Sequence, residues 1–162
     1  MSFVAIALVL AACNPAEPTA STSTSTSVPH TAPACTDPPA SELAHSSPIA
    51  LKLDPNPVMA GSEATLSVSS DGLPDNAVVG FGVSWQCWNG SQWSTMPYQV
   101  LRGGGTYEVE PGAMTTVPAG AWPIPRSDPI VIPKVAAGTY RIEDTAWADG
   151  TKILGFVIVL VE

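Results

Sequence analysis

The strongest constraint on the fold is a strict two-residue alternation in residues 78–88, which read VVGFGVSWQCW. If this segment is a strand, one face carries Val79, Phe81, Val83, Trp85 and Cys87, and the other carries Gly80, Gly82, Ser84, Gln86 and Trp88. A slip of one residue would move the large apolar side chains into water, so the pattern fixes the register. It predicts a strand with Trp85 in the core and Trp88 outside it.

The rest of the chain from residue 49 onward repeats this kind of pattern. Short apolar alternations are separated by Pro, Gly, Asp and Asn, which is typical of an all-β domain. Further strands are expected over residues 49–53, 64–70, 92–101, 106–109, 130–132, 138–142 and 153–161. A count of about seven strands suits a two-sheet sandwich. The last strand is apolar on both faces, so it is expected to lie centrally or to have its outer face covered by a loop or a partner.

Two segments resemble known modules. The sequence GTYRI at 138–142 resembles the start of strand F in immunoglobulin-like folds, and LDPNPVMAGSEATLSV at 53–68 resembles the first two strands of bacterial extracellular immunoglobulin-like modules. The resemblance implies an immunoglobulin-like β-sandwich of antiparallel strands, in which Tyr140 forms a tyrosine corner by hydrogen-bonding nearby backbone. Ile142 stands where antibody-type domains have a cysteine, so their inter-sheet disulfide is absent.

The amino terminus has the pattern of an export signal. Residues 2–12 are apolar and uncharged, and the run is too short to cross a bilayer as a helix. The sequence LAAC at residues 10–13 resembles the lipobox of bacterial lipoproteins. That resemblance implies a signal peptide over residues 1–12, cleaved before a lipid-modified Cys13. The alternative is an ordinary secretory signal that leaves Cys13 a plain thiol; the absence of Lys and Arg before the apolar run departs from both patterns.

A tether is expected between the anchor and the domain. Residues 14–34 read NPAEPTASTSTSTSVPHTAPA, with no apolar periodicity. We therefore assign residues 13–34 to the lipidated cysteine and a disordered tether, and residues 35–162 to the β-sandwich domain. The tether is interpreted as a bare spacer, with O-glycosylation as the alternative. His30 and His45 are interpreted as solvated residues without a metal role.

The number of cysteines supports one disulfide. The chain has three cysteines, an odd number for an exported protein. Lipidation of Cys13 would leave Cys35 and Cys87 to pair, in a compartment where disulfides persist. The alternative is that Cys87 is a buried free thiol.

Charge and residue types argue against several functions. The net charge is −8 and the six basic residues are scattered, so nucleic acid is not an expected partner. No histidine in the domain core is available as a base, so catalysis by a nucleophilic triad is not predicted and the chain is not expected to be an enzyme. The carboxylate pairs Glu108/Glu110 and Glu143/Asp144 are interpreted as solvated edge charges. The segments at 71–76 and 149–150 are interpreted as turns rather than Ca²⁺ ligands, and no metal or cofactor is expected.

The expected function is therefore that of a membrane-anchored lipoprotein, facing the periplasm or the cell exterior. Its domain is expected to be a non-catalytic module that binds a protein, a glycan or a cell-wall component. Five aromatic residues are predicted to lie off the core: Trp88, Trp93, Tyr98, Tyr107 and Trp122. Of these, Trp88, Trp93, Tyr98 and Trp122 form the candidate binding surface; the alternative is that they pack under the loop at 102–125. A competing hypothesis is a peptidase inhibitor or an accessory subunit, with the loop at 102–125 as its wedge. The sequence does not identify the ligand or the oligomeric state.

Overall fold

A computed structural model of the chain describes residues 34–44, 46–70, 72–109 and 121–162. These residues form ten strands and one turn of 3-10 helix, Ala40–Glu42, without an α-helix in the described ranges. The strands are β1 Ile49–Asp54, β2 Glu63–Ser70, β3 Val78–Gly80, β4 Gly82–Trp88, β5 Trp93–Leu101, β6 Thr106–Glu108, β7 Ala121–Pro123, β8 Arg126–Val131, β9 Gly138–Ala148 and β10 Thr151–Val161.

The strands form two sheets. The small sheet has the order β1-β2-β8, and the large sheet has the order β6-β5-β4-β9-β3-β7, with β10 paired to the other edge of β9. Every strand pair within the sheets is antiparallel. The expected all-β fold with two antiparallel sheets is confirmed, with a larger number of strands than predicted because several of them are only three residues long.

The core lies between the sheets and is built by the alternating positions. Leu66 and Ile130 from the small sheet and Trp85, Ile142 and Val159 from the large sheet have no exposed surface. Burial of one such side chain stabilises the fold by about 1.5 to 3 kcal/mol. Trp85 is thus a core residue, as the alternation predicts.

The segment at 78–88 is not one continuous strand. It divides at Phe81 into β3 and β4, both of which pair with β9. Val79 lies opposite Ala146 and Ser84 lies opposite Glu143, so five steps along this segment match three steps along β9. The two extra residues form a bulge that turns Phe81 out of the core. The prediction that Phe81 shares the core face was therefore wrong, because alternation alone does not reveal a bulge.

The last strand is not central in its sheet, and part of its outer face is covered. β10 pairs only with β9 within its sheet. Its Val159 faces the core, while Phe156 and Ile158 on the outer face are half-buried beside residues 41–44. A loop thus covers part of the outer face of this strand, as expected, whereas Leu160 on the same face remains 45 % exposed. We call the covering stretch, residues 34–44, the N-terminal segment.

Some backbone N–H and C=O groups on the free edge of β10 are hydrogen-bonded, by a side chain and by one β-bridge. Asn56 Nδ2 donates to the Ile158 carbonyl at 2.8 Å, and the Leu160 amide donates to Asn56 Oδ1 at 3.0 Å. The Val58 amide donates to the Leu160 carbonyl at 2.9 Å, in a parallel bridge to Val161. These contacts occupy groups that would otherwise be open to pairing with another chain.

Candidate functional site

The disulfide expected from the cysteine count is present. Cys35 is bonded to Cys87 of β4, with their Cα atoms 5.6 Å apart. The next residue, Thr36, continues the attachment, because its amide donates to the Trp88 carbonyl at 2.8 Å. The N-terminal segment is therefore fixed to the large sheet at the point where the expected tether ends.

A cleft of about 530 Å³ lies beside this disulfide, and we call it the disulfide cleft. Three parts of the chain enclose it: residues 35–37 of the N-terminal segment, the core-facing side of β5, and the turn at 134–139 that leads into β9. Its lining side chains include Met96, Tyr98, Lys134, Val135, Thr139 and Tyr140. Clefts of this size are common ligand sites in folded domains.

Two tyrosines define the inner part of the disulfide cleft. The Tyr140 hydroxyl donates to the Ala136 carbonyl at 2.9 Å, so the backbone hydrogen bond expected of a tyrosine corner is present. Burial, followed by the nearby Tyr98, raises the pKa of the Tyr140 hydroxyl. Tyr140 is therefore neutral at physiological pH and acts as a fixed donor to the turn. Tyr98 is half-buried and presents its ring to the cleft.

The outer part of the disulfide cleft carries opposite charges. Lys134 and Asp37 are both exposed, and the Thr139 hydroxyl donates to Asp37 Oδ1 at 3.4 Å. The stem of Lys134 is positioned by Gly61, where an added Cβ would lie 3.2 Å from Lys134 Cγ. Met96 and Val135 supply apolar surface further in. The cleft thus combines an apolar interior with a rim that offers both a cation and an anion.

The candidate aromatic surface is not one patch, and Trp88 corrects the prediction most clearly. Trp88 is only 8 % exposed, so the prediction that it lies off the core was wrong. It pairs with Trp93 across β4 and β5, with ring centroids 5.8 Å apart and the rings nearly perpendicular. The Trp88 carbonyl also accepts a hydrogen bond from the Thr36 amide, in an antiparallel bridge at the edge of the sheet. Trp88 is therefore buried beside Trp93 on the face that the alternation places off the core.

The other predicted residues lie in separate places. Trp93 is half-buried on the outer face, with the Arg141 guanidinium 4.6 Å from its ring centroid. Trp122 of β7 lies between the Phe81 ring at 4.0 Å and the Arg126 guanidinium at 3.6 Å. Tyr98 alone lines the disulfide cleft. The predicted residues therefore do not form one surface. Tyr98 lies in the disulfide cleft, Trp93 lies on the outer face, and Trp122 lies beside the bulge.

A buried charge cluster lies between the sheets, and the sequence did not predict it. Arg102 pairs with Asp128 of β8 at 3.3 Å and with Asp144 of β9, while Arg126 also pairs with Asp128. The side chains of Arg102 and Asp144 have no exposed surface, so the interpretation of Asp144 as a solvated edge charge was wrong. Burial raises the pKa of Asp144, and Arg102 opposes that shift. We call these four residues the inter-sheet charge cluster.

The other carboxylates and the predicted turns lie at or near the surface. Glu143 is half-buried and accepts a hydrogen bond from Gln86, whereas Glu108 is exposed. Asp75 and Asn76 lie in one turn and Asp149 and Gly150 in another, as expected, and Asn76 Nδ2 donates to Asp149 Oδ1 at 2.8 Å. The described residues contain no group of three or more His, Cys, Asp or Glu that could hold a metal ion.

Several predictions lie outside the described residues. They concern the signal peptide over residues 1–12, lipidation of Cys13, the tether up to residue 33, His30, His45, Asp71, Glu110 and the part of the wedge loop at 110–120. In the described ranges, no helix has the length and apolar character needed to traverse a bilayer.

Comparisons with known proteins assign no relative. No protein-family model matches the chain, and a search of curated proteins finds no match.

Proposed function

We propose that this chain is an exported lipoprotein, held to a membrane by an acylated Cys13 and facing the periplasm or the cell exterior. Its immunoglobulin-like domain, residues 35–162, is a non-catalytic module that binds a protein or glycan ligand. A flexible tether of about twenty residues would have a root-mean-square span of roughly 25 Å. The inter-sheet charge cluster has its central Arg102 and Asp144 sealed from solvent, which suits a structural role rather than a catalytic one.

The main support for this proposal is that two of the three cysteines form a disulfide and leave only Cys13. The Cys35–Cys87 disulfide takes two of the three cysteines, and Cys13 is the remaining one. Disulfides of this structural kind persist outside the reducing cytosol. An exported protein with one cysteine left over, directly after an apolar run, has the arrangement that lipid attachment requires.

The anchor is tested by mass spectrometry of the full chain expressed in a bacterial host and extracted from membranes. The expected mature protein begins at Cys13 and carries the added mass of acyl chains. Cys13→Ser is the matched variant, and it should appear in the soluble exported fraction with an intact Cys35–Cys87 disulfide. A mature mass without acyl chains would refute the lipid anchor and leave the ordinary secretory signal.

The binding role rests on the disulfide cleft. Its apolar interior suits a hydrophobic side chain or a sugar face, and the Lys134 and Asp37 rim suits the polar groups of the same ligand. The cleft also lies where the tether joins the domain. A ligand bound there would be held near the surface to which the protein is anchored.

This role is tested with the full chain on arrays of defined glycans and peptides. Tyr98→Ala removes a cleft ring, and Tyr107→Ala removes a ring that is 56 % exposed and does not line the cleft. A ligand of the disulfide cleft should lose binding in the first variant and keep it in the second. Equal binding by both variants would exclude the cleft as the site.

A further inference from the structure

A second cavity, of about 280 Å³, lies on the outer face of the large sheet. It is enclosed by residues 41–44 of the N-terminal segment and by Arg141, Phe156 and Ile158 of the sheet. It shares no lining residue with the disulfide cleft. Its size admits a group smaller than a typical drug-sized ligand. We call it the Arg141 pocket.

The guanidinium of Arg141 is held rigidly in this pocket. Its Nε donates to Gln86 Oε1 at 2.7 Å, and Gln86 Nε2 in turn donates to Glu143 Oε2 at 3.1 Å, which fixes the amide. The Phe156 and Trp93 rings lie against it, with centroids 4.3 and 4.6 Å from the guanidinium carbon. Such stacking together with a fixed Nε leaves a planar fork of Nη donors in a set orientation.

This fork has no acceptor within the described part of the chain. Arg141 donates a hydrogen bond through Nε, and neither Nη group makes a hydrogen bond or ion pair with a described residue. Arg141 is half-buried, and burial lowers the pKa of its guanidinium while the nearby Glu143 and Glu42 favour the charged form. A half-buried arginine of this kind is well placed to accept an anion from outside.

The charges around the Arg141 pocket determine which kind of anion can bind there. Glu42 lines the same pocket and forms no ion pair with a described residue. The whole chain carries a net charge of −8. A dianionic phosphate would be repelled more strongly than a single carboxylate, whose two oxygens also match the arginine fork. Glu42 would favour a ligand that carries an ammonium or amide N–H beside its carboxylate.

We propose that the Arg141 pocket binds an α-carboxylate with an adjacent nitrogen donor, as found in a free amino acid or at the carboxyl terminus of a peptide. The carboxylate pairs with the Nη groups of Arg141, the nitrogen donor faces Glu42, and the side chain packs on Ile158. This site does not depend on the lipid anchor or on the disulfide cleft.

The test is calorimetric titration of the full chain with three probes. Alanine carries both groups, N-acetylalanine keeps the carboxylate and an amide N–H, and alaninamide lacks the carboxylate. We expect the first two to bind and alaninamide not to bind at the same millimolar concentrations. Tighter binding of N-acetylalanine would identify a peptide terminus as the ligand, and tighter binding of alanine would identify a free amino acid. Equal binding of alaninamide, or no binding of either carboxylate, would overturn the proposal.

Variants test the assigned residues. Arg141→Gln should weaken carboxylate binding roughly 10- to 100-fold, the range expected for a charge-assisted hydrogen-bonded pair. Lys152→Gln is the matched control, because it removes an exposed cation elsewhere on the outer face of β10 and should leave binding unchanged. Glu42→Gln should weaken alanine more than N-acetylalanine. Unchanged affinity in a folded Arg141→Gln protein would remove Arg141 from the site, and the probe comparison in the unaltered chain applies even if that variant fails to fold.

Discussion

Two arginines of this domain show opposite uses of the same side chain. Arg102 lies between the sheets with no exposed surface, and two aspartates neutralise it. Arg141 lies half-buried on the outer face, where it contacts a neutral amide and two aromatic rings, and the nearby Glu42 and Glu143 form no ion pair with it. The comparison shows that the side chains around an arginine determine its role. Paired carboxylates neutralise the charge within the fold, whereas an amide and aromatic rings leave it available to a ligand.

The inter-sheet charge cluster also connects parts of the chain that are distant in sequence. Arg102 follows β5, Asp128 belongs to β8 of the small sheet, and Asp144 belongs to β9 of the large sheet. An unpaired charge in this position would cost several kcal/mol, so the ion pairs favour the observed placement of the sheets over placements that separate these groups. We interpret the cluster as a determinant of the relative orientation of the two sheets. The Arg141 pocket lies on the outer face and does not contribute to that orientation.

The largest predicted effect comes from Arg102→Met. This change leaves Asp128 and Asp144 without their central cation, and we expect the free energy of unfolding to fall by about 3 to 5 kcal/mol. Urea denaturation at neutral pH measures the loss. A loss below about 1 kcal/mol, the size typical of an exposed ion pair, would contradict the structural role of the cluster.

The next largest effect is expected from removing the disulfide with Cys35→Ala and Cys87→Ala together. The bond links residues 52 positions apart, and the chain-entropy account gives a stabilisation of about 2 to 4 kcal/mol. Because the disulfide holds the N-terminal segment over the outer face, hydrogen exchange should rise in residues 36–44 more than around Asp128. Equal increases in hydrogen exchange in both regions would show that the disulfide stabilises the whole domain rather than the N-terminal segment in particular.

A smaller effect with a defined pH dependence is expected from Asp128→Asn. Burial works against the charged form of Asp128, but Arg126 and then Arg102 outweigh it and lower the pKa of this carboxyl. A lowered pKa in the folded state gives stability that is present above the unfolded value, about 3.9, and is lost as the pH falls through the folded value. The variant should therefore cost about 1.5 to 3 kcal/mol at pH 7 and less under acid conditions.

The measurement for Asp128→Asn is a series of urea midpoints from neutral to acid pH, with Asp144→Asn as the comparison. Burial raises the pKa of Asp144, so its contribution has the opposite sign: proton uptake favours the folded state as the pH falls, and that contribution is lost as the pH rises through the folded value. The two variants should thus differ from the unaltered chain with opposite pH slopes. Slopes of the same sign would mean that the two carboxylates titrate as one group.

Sequence reasoning succeeded where the signal is local. Two-residue alternation predicted the strands and the burial of Trp85, and the cysteine count predicted the Cys35–Cys87 bond. It failed where a distant segment changes the environment. The buried Trp88 accepts hydrogen bonds at its carbonyl from Thr36, 52 positions away, and the buried Asp144 pairs with Arg102, 42 positions away. Neither partner is marked by any pattern near the residue itself.

The smallest predicted effect comes from Arg141→Met, the counterpart of Arg102→Met on the outer face. Methionine keeps the apolar stem between Trp93 and Phe156, and the change removes two cation–π contacts and one hydrogen bond to Gln86. Exposed cation–π contacts contribute about 0.5 to 1 kcal/mol each, and removing the half-buried charge recovers part of that loss. The lost hydrogen bond to the buried Gln86 adds about 1 kcal/mol, so the same urea experiment should show a net loss of about 1 to 2 kcal/mol. A loss as large as that of Arg102→Met would mean that Arg141 stabilises the fold to a similar degree, and the contrast between a neutralised and an available arginine would fail.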